Sequence, residues 1–172
     1  VADKSNSVLG ELSEDNLLGF LDSDCVVTLP RGATKEQLLS YMVELLVSKK
    51  RLQAHLVPRV ISGLARRERL GTTGLGNGLA LPHLRIPELA KFIGLVGIST
   101  EGVDFDSLDG HPTRIVILVL SPYEQKQRHF DVLGRLARLF SEGTLQYTTQ
   151  LTRSPDALLR LLGVNTQRTG RQ

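Results

Sequence analysis

Gly71-Thr72-Thr73-Gly74-Leu75-Gly76-Asn77-Gly78-Leu79-Ala80-Leu81-Pro82-His83 is a glycine-rich loop that leads into an apolar strand and stops at a Pro-His pair. The order of these parts decides how the chain is read. Loops that cradle nucleotide phosphates run from a strand through glycines into a helix, whose N-terminus then meets the phosphates. Here the loop feeds a strand and no Gly-Lys-Ser/Thr follows, which sets nucleotide binding aside. The glycines serve better to permit positive φ and close backbone approach beside His83.

Working outward, the segment before the loop carries Val57, Val60, Ile61 and Leu64 at helical spacing and ends in Arg66-Arg67-Glu68-Arg69. An earlier helix over residues 34–48 is announced by Thr34 and Gln37, a capping-box pair, and by the stripe Leu38, Met42, Leu45 and Leu46. Upstream of that, Leu17 to Leu21 is a short apolar segment, Asp22 to Asp24 a turn, and Cys25 to Leu29 a strand. Downstream, Phe92 to Ile98 and Ile115 to Leu120 are near-continuous apolar runs, as expected of strands covered on both faces. Gly102 to Pro112 reads as loop with a short extended piece at Val103 to Phe105. Ser121-Pro122 is expected to open a helix with Leu133, Leu136, Ala137 and Phe140 inward, broken by Gly143. A helical piece over 144–151 follows, and Ser154 and Pro155 start the last helix as N-cap and first residue.

Strands interleaved with helices imply the α/β class: a single-domain sandwich with a central mixed, mostly parallel β-sheet flanked by helices on both faces. The expected layout is a loose lead-in at 1–14, one domain over 15–163 and a polar tail at 164–172. A chain of 172 residues, 41% of them hydrophobic, buries one sizeable core. No apolar run approaches the roughly 20 residues that cross a bilayer, and the first residues lack a signal-peptide layout, so no membrane insertion and a cytoplasmic location are expected. The lone Cys25 reads as a packing residue. A net charge of only +3, no Trp and 5% aromatics give no basis for nucleic acid as a partner.

His83 is the first candidate for chemistry, since strand ends in open α/β sheets border ligand crevices and the adjoining proline limits backbone slack. An isolated histidine there is more often structural, so the surrounding pattern has to decide. Arg67, from position alone, reads as a solvated cation that complements a helix end; its functional alternative is a guanidinium fork on a phosphoryl group. His129 shares a helical stripe with Leu133 and Leu136, and two readings stand: a hydrogen-bonded core residue, or a donor aimed into a crevice. His55 and His111 read as surface residues. The four histidines lack zinc spacing and only one cysteine is present, so no metal and no cofactor are expected.

The run from Arg67 through Glu68 and Thr72-Thr73-Gly74 to Pro82-His83 resembles the phosphorylation-site motif of the fructose/mannitol/nitrogen-regulatory (type 2) enzyme IIA family of the bacterial phosphotransferase system. The likeness extends to Val103-Asp104-Phe105-Asp106-Ser107-Leu108-Asp109-Gly110 and to His129-Phe130, covering residues 17–163. It implies that His83 is the phosphorylated residue through Nε2, with Arg67 and His129 beside it and Thr72 and Thr73 in support. It also implies a phosphotransferase that takes phosphate from a histidine phosphocarrier such as HPr and passes it to an enzyme IIB in sugar uptake. The alternative is a nitrogen-type regulatory protein whose phosphorylation state controls partner binding, towards which the Val103 to Gly110 segment leans. A more distant third is a domain that keeps the fold and only binds a partner. Leu84 departs from the family, which more often places a small or polar residue there. Leu75, Leu79 and Leu84 are expected to form an apolar docking rim.

Overall fold

Helix α1 (Lys35–Ser48) begins at a reciprocal cap: the Gln37 N–H donates to the Thr34 hydroxyl at 3.2 Å, and the Thr34 N–H to the Gln37 side chain at 3.0 Å. The computed structural model describes residues 17–141 and 143–164. The expected lead-in at 1–14 and all of the polar tail beyond Val164 lie outside those residues. A second helix, α2 (Val57–Arg69), carries three arginines in its last turn, where cations complement the helix dipole. Three more helices complete the set: α3 (Lys126–Ser141), α4 (Leu145–Thr152) and α5 (Pro155–Leu161). As the sequence predicts, Ser154 caps α5 with Pro155 at its start.

The strands are β1 (Val26–Thr28), β2 (Gly74–Gly76), β3 (Leu79–Ala80), β4 (His83–Ile86), β5 (Ile93–Val103) and β6 (Thr113–Pro122). They form one mixed sheet in the order β1-β5-β6-β3-β2, with β4 also paired to β6. The pairings β1–β5, β3–β6 and β4–β6 are parallel, while β2–β3 and β5–β6 are antiparallel. Alternation along β6 divides the core. Val116, Leu118 and Leu120 join the cluster under α1 and α2, and Ile115, Ile117 and Val119 join the cluster with Val132, Leu136 and Phe140 of α3. Helices therefore cover both faces, which is why β5 and β6 read as unbroken apolar runs. Cys25 is fully buried among that second cluster.

Three local expectations are corrected. The glycine-rich segment is not plain loop: Asn77 (φ 51°) and Gly78 (φ 78°) form the turn of a tight hairpin between β2 and β3. Two consecutive positive-φ residues match the twist of the flanking strands, and Asn-Gly supplies them at low cost. The apolar strand stops before Pro82, as expected, but His83 does not belong to that stop: it opens β4, held by parallel pairing with Val119 to Pro122. Ser121-Pro122 finishes β6 rather than opening a helix, and α3 starts only at Lys126. Among the described residues no helix is long and apolar enough to cross a membrane.

Candidate functional site

The edge of the sheet beside β6 is interrupted between β3 and β4, and His83 stands where it resumes. Leu81 and Pro82 occupy the gap. Pro82 has no N–H to give, and the Leu81 carbonyl, outside both strands, accepts from the His83 ring at Nδ1 over 2.7 Å. A carbonyl only accepts, so Nδ1 carries the proton, and a neutral ring keeps its lone pair on Nε2. Arg67, from the last turn of α2, donates its Nε–H to that Nε2 at 3.3 Å and a terminal N–H to the Gly71 carbonyl at 2.9 Å.

His129 approaches from the other side. The parallel partner of His83 is Val119, so His83 faces the α3 side together with the row Ile115, Ile117, Val119 and Ser121. The two imidazole centroids are 5.4 Å apart, and the exposed Phe130 ring meets His129 edge-on at 5.6 Å. The His129 ring is buried, and its Nδ1 lies 2.6 Å from the Ser121 hydroxyl. Burial holds the pKa of His83 below the ordinary 6.5, the Arg67 charge adding to the effect against the Leu81 hydrogen bond. For His129, burial, then the neighbouring His83 and Arg85, push it down to about 4. Both rings are neutral at neutral pH.

Thr72 and Thr73 do not point into this space. The Thr72 hydroxyl donates to the Phe105 carbonyl at 2.7 Å and accepts from the Gly74 N–H, pinning the loop to the segment after β5. The buried Thr73 hydroxyl donates to Glu68, whose carboxylate also takes the Thr73 N–H at 3.3 Å and the Lys35 ammonium at 3.3 Å. Nothing in the sequence singles out Glu68, one more charge in an arginine-rich helix end. Its fixed carboxylate ties α1, α2 and the loop together. His55 and His111 are exposed.

The expected docking rim needs revision. Leu79 is buried in the core, and Leu84 turns to the α2 side and lies against Gly63; only Leu75 is exposed. Gly63 also accounts for the bulky Leu84: a side chain at 63 would place its first carbon 2.5 Å from a Leu84 methyl. No cluster of three metal-ligating side chains occurs among the described residues.

Comparison with known proteins fits this arrangement. A nitrogen regulatory protein of Bradyrhizobium diazoefficiens is 35% identical over 105 residues, 61% of this chain and 69% of that protein. A fructose-specific EIIA component of a sugar phosphotransferase system from Haloferax volcanii is 30% identical over 106 residues, 62% and 68% of the two chains. The crystal structure of the nitrogen regulatory protein IIA-Ntr from Neisseria meningitidis superposes with a TM-score of 0.73 at 28% identity, covering 85% of this chain and 98% of that one. The mannitol IIA of Escherichia coli, solved in complex with phosphorylated IIB, shares the fold at 24% identity, with a TM-score of 0.65 over 83% of this chain and 96% of that one. The class is that of an enzyme IIA, a phosphoryl-transfer component built on an α/β sandwich. The model of the family "phosphoenolpyruvate-dependent sugar phosphotransferase system, EIIA 2" matches residues 19–163, and the chain belongs to this family.

Proposed function

We propose that His83 is the phosphoryl-carrying residue and that its Nε2 takes phosphate from an HPr-like histidine phosphocarrier. The observation that carries this reading is the hydrogen bond from Nδ1 to Leu81, which leaves Nε2 unprotonated, its lone pair accepting from the Arg67 guanidinium. That lone pair attacks phosphorus, and a new N–P bond forms as the donor's N–P bond breaks, the bonding pair returning to the donor nitrogen. Nδ1 keeps its proton throughout. Arg67 releases Nε2 and turns its N–H groups to the phosphoryl oxygens, whose spread charge it offsets in the transition state. His129 supplies a second donor from the opposite side. In the return step the N–P bond breaks towards Nε2 while the phosphoryl group bonds to an acceptor, a cysteine thiolate if the acceptor is an enzyme IIB.

Thr72 and Thr73 act in this scheme by holding the loop, not by touching phosphate. The domain of residues 15–163 works in the cytoplasm. Incubation with a phosphorylated histidine phosphocarrier is expected to give one acid-labile phosphoryl group on His83, absent from His83→Ala. Mass spectrometry that finds the label elsewhere, or finds none, removes the assignment.

A second reading concerns what lies downstream. The 35% identity to a nitrogen regulatory protein and the match to IIA-Ntr support a regulatory output, in which phosphate on His83 selects a partner protein. The fructose and mannitol relatives support delivery to an enzyme IIB. Labelled protein that a cognate IIB fails to discharge favours regulation.

A further inference from the structure

Ser121 is the one hydroxyl in an otherwise apolar row. Ile115, Ile117 and Val119 fill the face of β6 that looks towards α3, and Ser121 takes the next place in that alternation, 0% exposed. A buried hydroxyl left without a hydrogen-bond partner bears the full cost of its desolvation. Its only hydrogen-bond partner among the described residues is Nδ1 of His129, at 2.6 Å. We infer that Ser121 is a positioning residue for phosphoryl transfer: it donates its proton to Nδ1 and thereby fixes His129 as the neutral tautomer with its proton on Nε2.

The assignment follows from counting donors. If Nδ1 carried the proton it would donate to Ser121 Oγ, and the serine proton would have no acceptor within the described residues. With the serine donating, the hydroxyl is satisfied, Nδ1 is satisfied, and the single ring proton of His129 sits on Nε2. That nitrogen has no hydrogen-bond partner within the described residues, and none of their buried side-chain nitrogens or oxygens is left unpaired. Nε2 is therefore the atom through which a ring only 2% exposed reaches the surface. The two histidines are set to opposite tautomers by acceptor and donor partners of opposite kind. Leu81 holds the proton of His83 away from the attacking nitrogen, and Ser121 holds the proton of His129 out towards the site. A phosphoryl group on His83 thus meets an N–H rather than a second lone pair, at a position where burial keeps the ring from simply gaining a proton instead.

This inference rests on His83 being the carrier, and the test separates the two. Nitrogen-15 spectra of the ring-labelled wild-type protein, taken without any phosphoryl donor, are expected to show His129 protonated at Nε2 and unprotonated at Nδ1; the reverse pattern overturns the tautomer assignment. Transfer to His83 is then measured in Ser121→Ala, His129→Ala and the double variant. Ser121→Ala is expected to slow transfer by about tenfold, the scale on which orienting partners of functional histidines act. In the His129→Ala background the same change is expected to have no further effect, because the hydroxyl works only through that ring. Ser121→Ala slowing transfer equally in both backgrounds, or in neither, overturns the positioning role. Wild-type protein that takes no phosphate on His83 overturns the carrier reading, and the positioning role with it, while the spectra still decide the tautomer.

Discussion

Burial fixes the charge of both imidazoles before any partner arrives, and that carries a cost at low pH. Burial pushes the pKa of His129 down to about 4 in the folded chain, against the ordinary 6.5 when unfolding exposes it. Between those values the unfolded state binds the extra proton, so the stability contributed by the neutral ring is complete above pH 6.5 and is lost as pH falls towards 4. His129→Asn is expected to flatten the pH dependence of the urea midpoint across this window; a slope equal to that of the wild type counts against the buried neutral ring. Arg67 is half-exposed, so its removal is expected to leave the fold intact. Arg67→Ala is expected to slow phosphate acceptance by about 10- to 100-fold with an unchanged melting temperature, and an unchanged rate removes its role. The sequence singles out His83 by its loop and Pro-His pair, whereas position alone leaves Arg67 a solvated cation and His129 with two readings, and only the family resemblance groups the three. Ser121 and Glu68 were not legible there, since each owes its meaning to a partner on another element.

At the level of elements, α2 is coupled to β4 at one point and to the glycine-rich loop at another. The first is the notch at Gly63 that receives Leu84. Gly63→Ala in a helix interior gains about 1 kcal/mol of helix propensity, but here the new methyl meets the Leu84 side chain. The gain is expected in full in a Leu84→Ala background and reduced or reversed with Leu84 present, as read by denaturant unfolding; equal effects in both backgrounds would show that the notch does not matter. The second is the Glu68 carboxylate, which accepts hydrogen bonds from Thr73 and Lys35. Glu68→Gln turns an amide N–H towards one of these donors. Since the Leu81 N–H bonds the Thr73 carbonyl at 3.0 Å, the slackened loop reaches His83 through two hydrogen bonds. Glu68→Gln and Thr73→Val are each expected to slow transfer, and together no more than the worse of the two. Additive losses in a double-mutant cycle would separate them. The Thr34 and Ser154 caps were legible from sequence because capping is local. Strand β4 was not: four residues with mixed exposure carry no period, and only the distant pairing with β6 makes them a strand.

For the molecule as a whole, two apolar clusters on opposite faces of one sheet anchor the site, and β6 serves both. The α/β class, two-sided cover and a mixed sheet were expected from the apolar runs and their interleaved helices, whereas the antiparallel pairing of the longest ladder, β5 with β6, was not, since it depends on which strands meet. If His83 is the carrier proposed above, the exposed aromatic ring beside it is suited to dock a protein partner. Phe130 is 52% exposed and touches His129 edge-on. Phe130→Ala is expected to raise the KM for the phosphocarrier several-fold, with kcat and thermal stability near wild type, because aromatic anchors dominate small interfaces. A change confined to kcat would place Phe130 in the chemistry rather than in docking.

The pause in the sheet edge at Leu81 and Pro82 has a wider meaning. A strand that ran straight through and was paired along both edges would engage every oxygen along it with a neighbouring amide, and the ring two residues on would have nothing to lean on. By leaving one rung out, the chain converts a building material of the sheet into a compass for an imidazole. Mending that gap would tend to produce a sturdier sheet and a worse courier.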